Sequence, residues 1–286
     1  MNNSIGLVRE ESAHAATEWA LALFRRSVLK QEKYRQIERL LGPVEGKVCL
    51  DIGADNGVIS LLLRQKGGEW HSADLDEASV AAIRGLVRNN VYRLDGGPTP
   101  FPDRMFDLVV IVDYLEHIEG DHAFVAELRR ILKPGGVLIV NVPHFQPRLL
   151  LNRLRPRLGL TDERHGHVRP GYTLEGLRQL LGDQFTVVAS RTYSKLFAEG
   201  VDTFLNGGLE LLRRLKGQRV RSAKGQLFTQ SDWERHRKEL RLLSVLHPLL
   251  WLCVRLDRLL PGRGYKLIVK ATLREDAAAP QDVVQA

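Results

Sequence analysis

The feature that most constrains this chain is an alternation between residues 47 and 143. Short apolar runs rich in β-branched residues are separated there by stretches of helical periodicity. Lys47–Ile52, Glu69–Asp74, Val91–Leu94, Phe106–Val112 and Val137–Val142 read as strands. Val58–Arg64, Ser79–Asn89 and Asp121–Leu132 read as helices, the last stopped by Lys133-Pro134-Gly135-Gly136. Strands this apolar must be covered on both faces, and strands joined through helices run parallel. Leu174–Leu181 (helix) and Phe185–Thr192 (strand) continue the pattern, and Lys266–Thr272 supplies a seventh strand. The expected fold class is α/β: a Rossmann-like, doubly wound, mostly parallel seven-stranded sheet, with a helical insertion before its last strand.

The flanking regions define the organisation. Residues 16–41 lack Pro and Gly and place Tyr34, Ile37 and Leu41 at helical spacing, so 1–43 is expected to be an N-terminal helical segment. The sheet domain takes 44–194 plus 265–274. Residues 195–264 form the basic, leucine-rich insertion, and 275–286 a frayed tail.

Charge is unevenly shared. The chain carries a net +8, yet Arg148 to Arg274 holds 25 Lys/Arg against 11 Asp/Glu, which leaves the remainder acidic. A basic half favours an anionic partner or surface. Within it, Leu242–Leu260 has no unbroken apolar run longer than Leu249–Val254, and Arg255, Asp257 and Arg258 place charges directly after that run. Such a segment is too short and charged to cross a bilayer. It either lies on an anionic membrane surface or packs on the protein, and the sequence leaves both open. Cys49 and Cys253 are far apart and read as reduced, and residues 1–20 lack the apolar stretch of a secretory signal. A cytoplasmic protein is expected, with peripheral contact on the inner membrane face if the segment meets lipid.

The chemistry gathers at the ends of the strands. Asp51-Ile52-Gly53-Ala54-Asp55-Asn56-Gly57 joins the first strand to the first helix, where glycines permit a tight turn and close approach by a ligand. Asp74 closes the second strand, Asp95 follows the third and Asp113 ends the fourth. In open α/β sheets these ends border one crevice, and an acid after the second strand is placed to accept ribose hydroxyls. Four like charges there call for a ligand that supplies donors or positive charge. A nicotinamide-dinucleotide fingerprint is absent, because Asp55 and Val58 stand where its second and third glycines belong.

VCLDIGADNG (48–57), SADLD (72–76), LDGGPTPFPDRMFDLVVIVDYLEHI (94–118) and LKPGGVLIVNVPH (132–144) together resemble the class I S-adenosylmethionine (SAM)-dependent methyltransferases, especially the ubiquinone and menaquinone biosynthesis group. The resemblance implies SAM as cofactor. Its methionine part would pack on the loop of Gly53, Ala54, Asp55 and Gly57, and Asp51 would orient its ammonium group. Asp74, with Leu75, would hold the ribose, Asp95 and Gly96 the adenine, and Asp113 would line the methionine end. It also implies methyl transfer to an O or C nucleophile of a small or lipid-linked acceptor. A nucleic-acid methyltransferase and a non-catalytic SAM-binding protein are the alternatives. Nucleic acid is the less expected partner, because no N/D-P-P-Y/F/W run comes after the fourth strand.

Displacement at a methyl group needs alignment and, for a hydroxyl or acidic carbon, a base. His117, His144 and His167 are the candidates, and His165, Arg169 and Tyr172 are the candidate acceptor contacts. His165-Gly166-His167 has no neighbouring Cys and no evident third ligand, so no metal is expected. Oligomeric state is not legible.

Overall fold

The computed structural model describes residues 17–53, 56–147, 151–152, 166–200, 203, 248, 250–252, 254–257 and 259–275. Its strands are β1 (Val48–Ile52), β2 (Glu69–Asp74), β3 (Val91–Arg93), β4 (Phe106–Val112), β5 (Leu132–Pro143), β6 (Phe185–Tyr193) and β7 (Lys266–Leu273). They form one sheet in the order β3-β2-β1-β4-β5-β7-β6. The first five run parallel, while β7 is antiparallel to both β5 and β6. This is the expected doubly wound sheet.

The helices are α1 (17–26), α2 (Val28–Leu41), α3 (Val58–Arg64), α4 (Glu77–Val87), α5 (Asp121–Ile131) and α6 (Leu174–Leu181). Side chains alternate across β1, so Leu50 and Ile52 face the core under α5 and α6, whereas Cys49 packs with Ile37, Leu41 and Leu63 of α2 and α3. Both faces are dry. Leu50, Ile111, Leu128 and Ile139 are fully buried, each stabilising the fold by about 1.5–3 kcal/mol relative to exposure.

Two boundaries differ from expectation. The helix expected over 16–41 is two helices, because Ser27 is extended and its hydroxyl accepts from the Lys30 amide to cap α2 (3.3 Å). The Gln31 amide then donates to the Arg25 carbonyl at the end of α1 (2.8 Å). At Lys133-Pro134-Gly135-Gly136 the chain stops a helix as expected but is already β5. Leu132 pairs with Phe106, and a register shift precedes the pairing of Val137 with Leu108.

Much of the expected insertion (195–264) lies outside the described residues, as do 1–16, Cys253 and 276–286. Its described parts pack on α2. Val254 and Ala198 bury against Val28, and Trp251 lies between the guanidinium groups of Arg35 and Arg255, 4.3 and 4.6 Å from its ring centroid. Asp257 accepts from the amides of Lys195, Phe197 and Ala198 (2.7, 2.7 and 3.1 Å), which ties 195–200 to 250–257. Among the described residues no helix is long and apolar enough to cross a membrane.

Gly53 comes directly after β1 with φ +83°, and a Cβ there would stand 2.2 Å from the Val112 carbonyl oxygen. Gly42, at the end of α2, has φ +71° with open space around it. Gly42→Ala should therefore cost only the strain of a side chain at φ +71°, ψ −170°, about 1–3 kcal/mol. Gly53→Ala should cost at least about 3 kcal/mol, because β1 and β4 must also part. Urea denaturation of both variants checks this, and equal losses would refute the contact.

Candidate active site

Strand order reverses between β1 and β4, so the connections leaving these two strands diverge and open a crevice at their carboxyl ends. The turn after β1 forms its floor. The Gly53 amide donates to the Ala73 carbonyl (3.0 Å). Gly57, φ +79°, starts α3 so close to α4 that a Cβ would lie 2.8 Å from Ile83 Cα. Ala54 and Asp55 are outside the described residues.

Asp74 ends β2 almost buried, and its carboxylate accepts from the Asp76 amide (3.3 Å). Asp76 is spent as the cap of α4, accepting from the Ser79 amide (3.0 Å). Leu75 is half-buried against the core, and Asp95 is exposed, accepting from the Gly97 amide (2.9 Å) across the turn at Gly96. Sequence reasoning missed Tyr114. Its hydroxyl is buried with no hydrogen-bond partner among the described residues. Burial, and then the charges of Asp74 and Asp95, push its pKa well up, so the phenol is a neutral donor beside both acids. Its position directly after Asp113 was the available signal.

The other two acids have partners within the fold. Asp51 is sealed under α3, where Ser60 and Ser72 hydroxyls donate to its two oxygens (2.5 and 2.7 Å) and Arg64 lies 3.7 Å away. Asp113, held at φ +45°, pairs with Lys33 of α2 and with Lys266 of β7 (3.3 Å), and the Asn141 amide donates to it (3.1 Å). Burial alone would raise the Asp113 pKa, but the two lysines hold it well below the usual carboxylate range. Tyr193 extends the network by donating to Asn141 (2.5 Å). Asn141 was visible as a polar residue in an apolar strand, whereas nothing in the sequence singles out Lys33.

The histidines divide. His144 is buried, with Nδ1 against the Gly264 carbonyl (2.8 Å) and Nε2 against the Gln146 amide (3.2 Å). Burial lowers its pKa, and with both ring nitrogens engaged it acts as a wall. His117 and His167 meet edge to face, ring centroids 4.9 Å apart. Beside them Glu116 is fully buried, its pKa pushed up to about 8 by burial and then by Asp113. Arg169 and Tyr172, expected at the acceptor, instead brace the loop. Arg169 pairs with Asp121 and donates to the Glu119 carbonyl (3.0 Å), and the Tyr172 hydroxyl donates to Asp121 (2.8 Å). His165 lies outside the described residues.

Burial raises the Asp51 pKa from 3.8 to about 6 against the opposing effect of Ser60, Ser72 and Arg64. A carboxyl whose folded pKa is the higher one contributes stability below its unfolded pKa and loses it as pH rises through the folded value. Between pH 4 and 7 the wild type should therefore lose about 2 kcal/mol relative to Asp51→Asn. Urea denaturation of both proteins across that range checks this, and parallel pH curves would refute it.

Residues 50–140 match the model of a methyltransferase domain family. Demethylmenaquinone methyltransferase of Tropheryma whipplei is 30% identical over 105 residues, 36% of this chain and 44% of that protein. Ubiquinone biosynthesis O-methyltransferase of Paramagnetospirillum magneticum is 30% identical over 106 residues, 36% of this chain and 43% of that protein. The match thus spans less than half the length of these relatives. An S-adenosylmethionine-dependent methyltransferase structure from Mesorhizobium loti superposes with a TM-score of 0.51 at 15% identity, covering 83% of this chain and 96% of that one, which supports the fold. Residues 50–140, which carry the strand order and the glycine turn described above, thus match a methyltransferase domain.

Proposed function

We propose that the chain transfers a methyl group from SAM to an O or C nucleophile of a small or lipid-like acceptor. The observation that carries this reading is the placing of Asp74, at the end of β2, beside the turn after β1 that Gly53 and Gly57 bound, next to the β1/β4 switch. Asp76 is committed to capping α4, and Asp74 ends β2 at the crevice, so Asp74 is the acid placed to take ribose hydroxyls. Tyr114 offers a buried donor between Asp74 and Asp95, whose charges suit a cationic ligand. Bound there, SAM would supply an electrophilic methyl on a sulfonium.

The chain's own residues hold the reactants in line and exclude water, an effect worth roughly 7–11 kcal/mol in well-oriented reactions. Proton removal from the acceptor falls to the His117–His167 pair, since the His144 ring is engaged. The names of the two curated relatives support a quinone-like acceptor. Exposed Leu252, Leu256 and Leu259 beside the basic half suit contact with such a molecule or with the anionic lipid that carries it.

Calorimetry with SAM tests the reading. Asp74→Ala should weaken binding at least about tenfold through lost charge-assisted hydrogen bonds. Asp76→Ala should lower stability by about 1 kcal/mol and leave affinity nearly unchanged. Unaltered affinity in Asp74→Ala would remove the ribose assignment, and absence of SAM binding by the wild type would remove the function. Transfer of labelled methyl from SAM into a lipid extract separates an enzyme from a protein that only binds SAM.

A further inference from the structure

We propose that Glu116, His117 and His167 form a binding site for a divalent transition-metal ion. One donor atom from each residue lies within 4.8 Å of the other two. Donors about 2.1 Å from a common ion stand at most about 4.2 Å apart, so rotamer adjustments of under an ångström close the set. Two imidazoles and a carboxylate favour Zn²⁺, Mn²⁺, Fe²⁺ or Co²⁺ over Mg²⁺ and Ca²⁺, which prefer all-oxygen shells.

The backbone assembles this cluster from distant parts of the chain. Glu116 and His117 lie in the single 3-10 turn Leu115–His117 that leaves β4. Residues 166–172 are fastened alongside, with the Val168 amide donating to the Glu116 carbonyl (2.8 Å) and Arg169 anchored on Glu119 and Asp121. His167 is therefore held between two anchors, facing His117. The spacing of His165-Gly166-His167 concealed this, because the additional donors come from some fifty residues upstream.

Two details point to a ligand. The Gly166 carbonyl, 3.1 Å from His117 Nδ1, can only accept a hydrogen bond. In the neutral ring Nδ1 therefore carries the proton and Nε2 the lone pair, the arrangement by which a carbonyl orients a metal-binding imidazole. The Glu116 side chain is fully buried, and neither carboxylate oxygen has a hydrogen-bond partner among the described residues. Leaving a buried carboxyl without donors costs several kcal/mol, and a cation between it and the two rings removes that penalty. The neighbouring cations do not oppose this, since Lys33 and Lys266 are both paired with Asp113.

On the methyl-transfer reading, on which this extension rests, the ion lies beside the crevice. With both imidazoles held as ligands, the ion rather than the histidine pair would activate the acceptor, lowering the pKa of its hydroxyl so that the proton passes to solvent and favouring O-methylation of an enol, phenol or catechol. The site itself stands without that reading and is tested without SAM.

Tag-free, full-length protein stripped with chelator is dialysed to equilibrium against Zn²⁺ and, separately, Mn²⁺, and bound metal is measured by elemental analysis. One equivalent of at least one ion should bind saturably and raise the melting temperature. Glu116→Gln and His167→Ala should each weaken binding at least about tenfold, and His122→Ala, at an exposed histidine of α5, should not change it. The metal-free Glu116→Gln protein should melt no lower than the metal-free wild type, which separates loss of a ligand from loss of fold. No saturable equivalent in the wild type, or wild-type binding by both ligand variants, would overturn the proposal. Because metal uptake and SAM calorimetry are separate measurements, failure of one leaves the other readable.

Discussion

The cleft depends on how closely the turn after β1 may approach the end of β4. With the Val112 carbonyl 2.2 Å from where a Cβ of Gly53 would stand, these two backbones touch at the point where the sheet changes direction. That contact brings Asp74, Tyr114 and the turn Leu115–His117 to one opening. A side chain at residue 53 would widen the strand pair and spread the groups that must act together.

Charge at the strand ends is handled in two ways. Asp51 and Asp113 are balanced from within, the first by two hydroxyls and an arginine, the second by lysines from α2 and β7. They set the position of the turn and of β4. Asp74 and Asp95 accept from amides of their own turns, with the Tyr114 hydroxyl between them. The division is one of partners rather than of burial, since Asp74 is buried and Asp113 only partly so.

Most of the fold was legible because its signals are local. Apolar runs such as Phe106–Val112 and the Lys133-Pro134-Gly135-Gly136 stop each act within a few residues. The break at Ser27 was harder to see, since a serine caps one helix in one context and sits inside another elsewhere. The site was legible in outline through its glycines and acids. Its partners were not, because Lys33, Lys266 and the pairing of His117 with His167 are contacts between segments far apart in the chain. The contacts of Arg169 and Tyr172 with Asp121 and Glu119 were hidden for the same reason.

The antiparallel last strand has a consequence for the order in which the molecule is completed. Lys266 reaches Asp113 across 153 residues, and β7 enters between β5 and β6 rather than at an edge. A nascent chain that has emerged only as far as β5 therefore holds the glycine turn and all four acids, yet lacks the cation from β7. Such high contact order places closure of the sheet late in folding. The network at the strand tips is consequently completed only after translation has passed residue 266, so a polypeptide truncated short of that point would retain the recognisable motif with Asp113 paired to Lys33 alone.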